Sequence, residues 1–160
     1  MNTAYLLTGG NMGDREKNLA TARELIDKNC GTITLASSVY ETAAWGKTDQ
    51  PSFLNQALLI HTPLDADRLM QRILELEEEM GRVREIKFGP RIIDIDILLF
   101  NHDIISTAIV RIPHPEMPNR RFVLTPLVEI AASMMHPVLK KTIKELLNEC
   151  PDTLPVKKCS

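Results

Sequence analysis

Apolar spacing sets strand, helix, strand, strand, helix and strand in order along residues 4–100. That order predicts an α+β fold of the ferredoxin-like class, an antiparallel sheet with helices packed on its faces. Three observations carry the prediction. Runs rich in β-branched and other apolar residues recur at 4–8, 32–42, 53–61 and 94–100. Leu19, Ala22 and Ile26, and later Leu69, Ile73, Leu76 and Met80, fall at helical spacing. The chain has 160 residues, 44% apolar and 25% charged, which suits a single domain over 1–160 with a sizeable core. In the split βαβ order, both helices are expected on one face of the sheet.

The first strand, at residues 4–8, runs into Gly9-Gly10-Asn11-Met12-Gly13. The Lys-Ser/Thr ending of a phosphate loop is missing, so the glycines are read as permitting close approach of a ligand or a neighbouring strand. Asp14 is the expected N-cap of the first helix, with Glu16 in its first turn. Residues 29–31 end that helix. Residues 32–42 read as one long strand and 43–50 as a loop. In the strand at 53–61, Phe53, Asn55 and Ala57 share one face, and Leu54, Gln56 and Leu58 the other. Thr62-Pro63-Leu64-Asp65 reads as a helix start with a hydroxyl cap, and Gly81 as the residue just past that helix's end. Glu78 and Glu79 read as a solvated face, while Glu77 points nearer the core. Short strands are expected at 104–105 and 109–112. Asn119 is expected to cap a helix carrying Phe122 and Leu124, and Pro126 to open the next turn. Thr142 and Glu145 form a capping box, and the tail from Pro151 reads as peripheral.

The densest chemistry lies at residues 81–100, GRVREIKFGPRIIDIDILLF. In the strand that closes this stretch, alternation puts Asp94 and Asp96 on one face and Ile95, Ile97 and Leu99 on the other. Carboxylates at i and i+2 stand roughly 6.5 Å apart at their Cα atoms. That suits two magnesium ions about 4 Å apart, bridged by phosphate oxygens. Arg82, Arg84 and Arg91 lie just upstream, and guanidinium forks match phosphate oxygens. The bland alternative is a strand-edge salt-bridge cluster with no ligand. Three prolines stiffen the loop around His114, beside Arg120 and Arg121, and a histidine so placed suits a phosphate contact; a plain surface histidine is the competing reading. Residues 82–90 hold little apolar material and cations that repel one another until an anion arrives, so this loop and 43–50 are expected to be mobile in the free protein.

A net charge of -2 argues against a nucleic-acid partner held by bulk charge. No run has the apolar length of a membrane span, and no signal peptide is evident. Cys30, Cys150 and Cys159 show no metal-ligand spacing and fit a reducing, cytoplasmic setting.

The sequence resembles the 6-hydroxymethyl-7,8-dihydropterin pyrophosphokinase family over nearly its whole length, from Gly9-Gly10-Asn11-Met12-Gly13-Asp14 to Phe122-Val123-Leu124-Thr125-Pro126-Leu127. The most specific segments are Gly81-Arg82-Val83-Arg84, Gly89-Pro90-Arg91, Asp94-Ile95-Asp96 and Pro113-His114-Pro115. The resemblance implies transfer of pyrophosphate from ATP to the pterin hydroxymethyl group in folate biosynthesis, with release of AMP. It implies Asp94 and Asp96 as ligands of two Mg2+ ions, and Arg82 and Arg91 as catalytic residues beside them. Arg84, His114 and Arg120 would help hold ATP, with Glu77 and the Ile97 backbone near its sugar and base and Arg111 supplying charge from a shifted position. The pterin would lie between Phe53 and Phe122, with Thr42, Asn55 and the backbone of Ala43, Ala44 and Trp45 at its polar edge. The partners implied are these small molecules alone, and the chain is expected to be a monomer. Departures from the family pattern stand at Gly10, where Ser is usual, and at Ala43, Ala44, Phe88, Ile109 and Arg111. Two rivals compete: a two-metal nucleotidyl-transfer palm, which would release pyrophosphate, and a ligand-binding module without chemistry, which needs no paired aspartates.

Overall fold

The computed structural model describes residues 1–43, 49–82 and 90–159. The loop expectations at 44–48 and 83–89 therefore lie outside the described residues, as do Ala44, Trp45, Arg84 and Phe88. In chain order the elements are β1 (Asn2–Gly10), α1 (Arg15–Asn29), β2 (Thr32–Ala36), β3 (Tyr40–Thr42), β4 (Phe53–Thr62), α2 (Ala66–Glu79) and β5 (Asp94–Phe100). A small hairpin follows, β6 (Ile105–Ser106) and β7 (Arg111–Ile112). Then come a 3-10 turn at Met117–Asn119, α3 (Arg121–Ala131), α4 (Ile143–Glu149) and β8 (Val156–Lys158).

The described residues form a six-stranded antiparallel sheet in the order β5-β1-β4-β3-β8, with β2 also pairing β4. This is the ferredoxin-like arrangement, with β1 and β4 at its centre and β5 at one edge. Two cores flank the sheet. Leu19, Ala22 and Ile26 of α1 and Leu69, Ile73 and Leu76 of α2 pack with Leu6, Leu58, Ile60, Ile95 and Ile97. On the opposite face Val123, Leu124 and Leu127 of α3 and Ile143 and Leu146 of α4 pack with Leu7, Ala57, Leu98 and Leu99. Helices therefore cover both faces, not one. The split βαβ half places only α1 and α2, and the chain beyond β5 supplies the second layer.

Local signals placed the helix ends. Asp14 accepts the Lys17 N–H and caps α1, and Thr142 and Glu145 complete their capping box. Gly81 follows α2 with φ +90°, a conformation that favours glycine. Five expectations are corrected. The cap of α2 is Asp65, which accepts the Arg68 N–H at 2.8 Å. The Thr62 hydroxyl instead donates to the Cys30 carbonyl. The long strand at 32–42 is two strands, because the Ser37 hydroxyl accepts the Ala57 N–H at 2.9 Å where a backbone carbonyl would have served. Asn119 does not cap α3. Asp152 does so from the tail, its Oδ2 accepting the Arg121 N–H at 3.0 Å, and Pro126 lies inside the helix rather than opening a new turn. The tail is docked, not peripheral, since β8 pairs β3 through Tyr40↔Lys158 and Thr42↔Val156.

β5 also departs from simple alternation. Its register against β1 runs Tyr5↔Leu99 and then Leu6↔Ile97, so Leu98 is the extra residue of a β-bulge. Leu99 consequently packs with the α3–α4 core, not with Ile95 and Ile97.

Candidate active site

A cleft opens on the α3 side of the sheet and spans about 750 Å³, its open mouth included. Strand alternation aims Asp94, Asp96 and Leu98 of β5 into it, while Ile95 and Ile97 turn to the α1–α2 core. Phe53 and Asn55 of β4 and Thr42 of β3 reach it from across the sheet. His114, Arg120 and Phe122 close it from the segment leading into α3.

One end is charged. Arg82 Nη1 donates to Asp94 Oδ1 at 2.6 Å and to Glu77 Oε2 at 2.9 Å, and Arg91 Nη1 donates to Asp94 Oδ2 at 3.0 Å. Glu77 is 2% exposed, and its Oε2 also accepts the Ile95 N–H at 2.8 Å. It thus fixes the start of β5 and the Arg82 guanidinium together. Among the described residues no ion pair covers Asp96: burial, then the nearby carboxylates of Asp94 and Glu77, push its carboxyl up to about 8, against the pull of Arg82 and Arg120. Burial, followed by the Arg120 charge, holds His114 below its ordinary value. Its Nδ1 accepts the Glu116 N–H at 3.2 Å, which leaves Nε2 as the nitrogen that carries hydrogen in the neutral ring.

The other end is aromatic and short of partners. The Arg91 guanidinium stands over the Phe53 ring at 5.6 Å, and Arg120 over Phe122 at 5.8 Å. Three buried polar atoms among the described residues lack a hydrogen-bond partner: Thr42 Oγ1, Asn55 Nδ2 and Arg82 Nε. Thr42 and Asn55 line the cleft, and Arg82 sits behind Asp94. Such orphans carry a desolvation cost that a polar ligand removes.

The expected residues therefore converge unequally. Thr42, Ala43, Phe53, Asn55, Arg91, Asp94, Asp96, His114, Arg120 and Phe122 line the cleft. Arg82 and Glu77 stand behind it through Asp94 and the β5 backbone. The Ile97 side chain lies in the α1–α2 core, which leaves the expectation for its backbone untouched, and Arg111 is exposed on β7 outside the lining. Sequence reasoning missed Leu7, Gly9, Leu98 and Val123 as lining residues. Leu98 was recoverable, since it continues the alternation of Asp94 and Asp96. The other three depend on pairing and packing. Both glycines allow close approach of neighbouring residues, and Gly9 lines the cleft as well: a Cβ on Gly9 would lie 2.2 Å from Asn55 Oδ1, and one on Gly10 would lie 2.4 Å from the Ile92 carbonyl oxygen.

The donor set at Asp94 and Asp96 fits magnesium. Mg2+ takes hard oxygen ligands, commonly one or two carboxylates completed by substrate phosphates and water. Among the described residues no third acidic, histidine or cysteine side chain joins a cluster that would form an all-protein cage.

Residues 5–132 match the family model described as 7,8-dihydro-6-hydroxymethylpterin-pyrophosphokinase (HPPK). A 2-amino-4-hydroxy-6-hydroxymethyldihydropteridine pyrophosphokinase of Bacillus subtilis is 46% identical over 130 residues, covering 81% of this chain and 78% of that relative. The protein of the same name from Aquifex aeolicus is 40% identical over 149 residues, covering 93% of this chain and 92% of its own. Among solved structures, Plasmodium falciparum HPPK-DHPS with pterin and p-hydroxybenzoate superposes with a TM-score of 0.73 at 22% identity. That alignment covers 92% of this chain and only 43% of the Plasmodium one, and supports the fold.

Proposed function

This chain belongs to the 7,8-dihydro-6-hydroxymethylpterin-pyrophosphokinase family and transfers pyrophosphate from ATP to 6-hydroxymethyl-7,8-dihydropterin in folate biosynthesis; we propose that the two ends of the cleft divide that reaction between them. The single observation behind this division is the pairing of a charged end at Arg82, Arg91, Asp94 and Asp96 with an aromatic end at Phe53 and Phe122.

The pterin stacks between Phe53 and Phe122, each good aromatic contact contributing about 1 kcal/mol. Its polar edge meets the orphaned Thr42 Oγ1 and Asn55 Nδ2, with Ala43 alongside. ATP lies toward the arginines. Asp94 and Asp96 would hold two Mg2+ ions, which would supply charge neutralisation and alignment of the phosphates. As Asp94 turns to that task its two guanidinium partners become available to phosphate oxygens, and the Arg82 Nε orphan gains an acceptor. The pterin hydroxymethyl oxygen bonds to the β-phosphorus and loses its proton, while the bond from that phosphorus to the AMP oxygen breaks. Arg82 and Arg91 stabilise the charge that develops, an electrostatic task rather than a proton transfer. His114 offers Nε2–H and Arg120 its guanidinium to the same phosphates. Glu77 acts from behind by fixing Arg82.

Residues 1–160 act as one catalytic unit, a cytoplasmic monomer that needs no nucleic acid. No described helix is long and apolar enough to cross a membrane. The test is product identity. Protein incubated with ATP, magnesium and the hydroxymethyl dihydropterin is expected to yield AMP and the pterin diphosphate. Release of ADP, or of free pyrophosphate from a nucleotide, would count against it.

A further inference from the structure

Asn11 makes four hydrogen bonds, and they reach both ends of the cleft. Its backbone N–H donates to the Arg91 carbonyl at 3.0 Å, and its Oδ1 accepts the Arg91 N–H at 2.9 Å. Its Nδ2 donates to Gln50 Oε1 at 2.8 Å and to the Pro51 carbonyl at 2.9 Å. The residue is 2% exposed, so both amide hydrogens and the oxygen are satisfied by protein rather than by bulk water. On one side, Arg91 carries the ion pair to Asp94. On the other, Pro51 lies two residues before Phe53, where β4 begins. Gly10 makes the geometry possible. Any side chain there would meet the Ile92 carbonyl at 2.4 Å and push the turn away from Arg91.

We propose that Asn11 is a positioning residue that couples the two ends of the cleft, so that nucleotide held through Arg91 and pterin stacked on Phe53 raise each other's affinity. The proposal rests on the function assigned above to the cleft. When phosphates draw the Arg91 guanidinium away from Asp94, the Arg91 backbone shifts with it. The two bonds to Asn11 pass that shift on, and the same amide grips Pro51. A buried amide with every hydrogen bonded cannot follow one partner without moving or losing the other. Arg91 also stands over the Phe53 ring, so a displacement at Pro51 reaches a ring that already senses that guanidinium.

The experiment is calorimetric titration of the hydroxymethyl pterin, with and without magnesium and a non-hydrolysable ATP analogue. It is run on the wild-type chain and on Asn11→Ala and Asn11→Asp. In the wild type the analogue is expected to tighten pterin binding by about 5- to 150-fold, and pterin to tighten the analogue by the same factor. In Asn11→Ala the factor is expected to fall toward one. Asn11→Asp keeps an acceptor for the Arg91 N–H but loses the donors to Gln50 and Pro51, so its factor also falls. A merely structural role lowers the melting temperature and weakens both ligands, yet leaves the factor at its wild-type value; that result overturns the proposal. Should both Asn11 variants fail to fold, Gln50→Ala removes one partner with Asn11 in place. A reduced factor there supports coupling, and an unchanged one overturns it. A wild-type factor of one, with both ligands bound, also overturns it. A wild-type chain that binds neither ligand overturns the assigned function itself, before any substitution is made.

Discussion

Arg82 Nη1 lies 2.6 Å from Asp94 Oδ1, while Nε of the same buried guanidinium has no hydrogen-bond partner among the described residues. The ion pair holds the arginine at the charged end with a donor left over. Removing Arg82 takes away the donor proposed above to meet phosphate and one of the two ion pairs that orient Asp94. Arg82→Ala is expected to lower kcat by about 10²- to 10³-fold, the usual cost of losing one preorganised charge donor. Pterin affinity measured without nucleotide should change little. A steady-state assay paired with pterin titration separates the two effects.

Asp96 should carry a stability cost that depends on pH. Burial and the carboxylates of Asp94 and Glu77 raise its carboxyl from 3.8 to about 8. The folded chain therefore binds that proton more tightly than the unfolded chain. This contribution to stability is full below the unfolded value and is lost as pH rises through the folded one. In EDTA, Asp96→Asn is expected to melt above the wild type at pH 8 and together with it near pH 4. The same variant should lose turnover by orders of magnitude, since an amide is a poor magnesium ligand. Thermal melts across that pH range, with one activity measurement, check both statements.

Phe53 and Phe122 line the same cleft from separate elements, β4 and α3. Phe122→Ala is expected to weaken pterin binding by about fivefold, the equivalent of the roughly 1 kcal/mol of one stacking contact. Binding of the ATP analogue should change far less. Equal loss of both ligands with a fall in melting temperature would identify Phe122 as core packing instead.

Gly10→Ser would place a Cβ 2.4 Å from the Ile92 carbonyl oxygen. Backbone cannot yield as a side chain can, so the substitution should act as overpacking and cost about 1–3 kcal/mol. Chemical denaturation compared with the wild type measures it. No loss of stability would mean that the turn at Gly9–Asn11 relaxes freely.

Glu129 ties α3 to the break between β2 and β3. Its carboxylate accepts the Tyr40 hydroxyl at 2.5 Å and both the N–H and hydroxyl of Ser38 at 2.8 Å. Burial works to raise its pKa, but the bonds from Tyr40 and Ser38 win and hold it below 4.5. The matching effect on Tyr40, from burial and then Glu129, pushes the phenol up to about 12. A depressed carboxyl stabilises the fold above its unfolded value and loses that contribution as pH falls through the folded one. Glu129→Gln should therefore melt below the wild type at pH 7, with the gap closing toward pH 3. Because Glu129 is exposed, the effect should be roughly 1 kcal/mol or less.

The sequence by itself determined what depends on residues within a few positions of each other. Asp14, Gly81 and the Thr142–Glu145 pair marked helix ends because capping bonds span three or four residues. Asp94 and Asp96 were legible as a facing pair because strand side chains alternate with period two. Gly9 and Gly10 signalled close approach, though not of what. Tertiary structure decided the rest. Leu99 changed sides because β5 is bulged against β1, a property of the pair of strands and not of either one. Ser37 broke a strand whose composition favours continuity, since its hydroxyl met the Ala57 N–H from β4. α3, which carries Phe122, took its cap from Asp152, 31 residues beyond Arg121. Asn11 reads as one polar residue in a glycine turn, and its partners lie 39, 40 and 80 residues away. A buried amide must find hydrogen bonds somewhere, but only the folded backbone specifies which distant segments supply them.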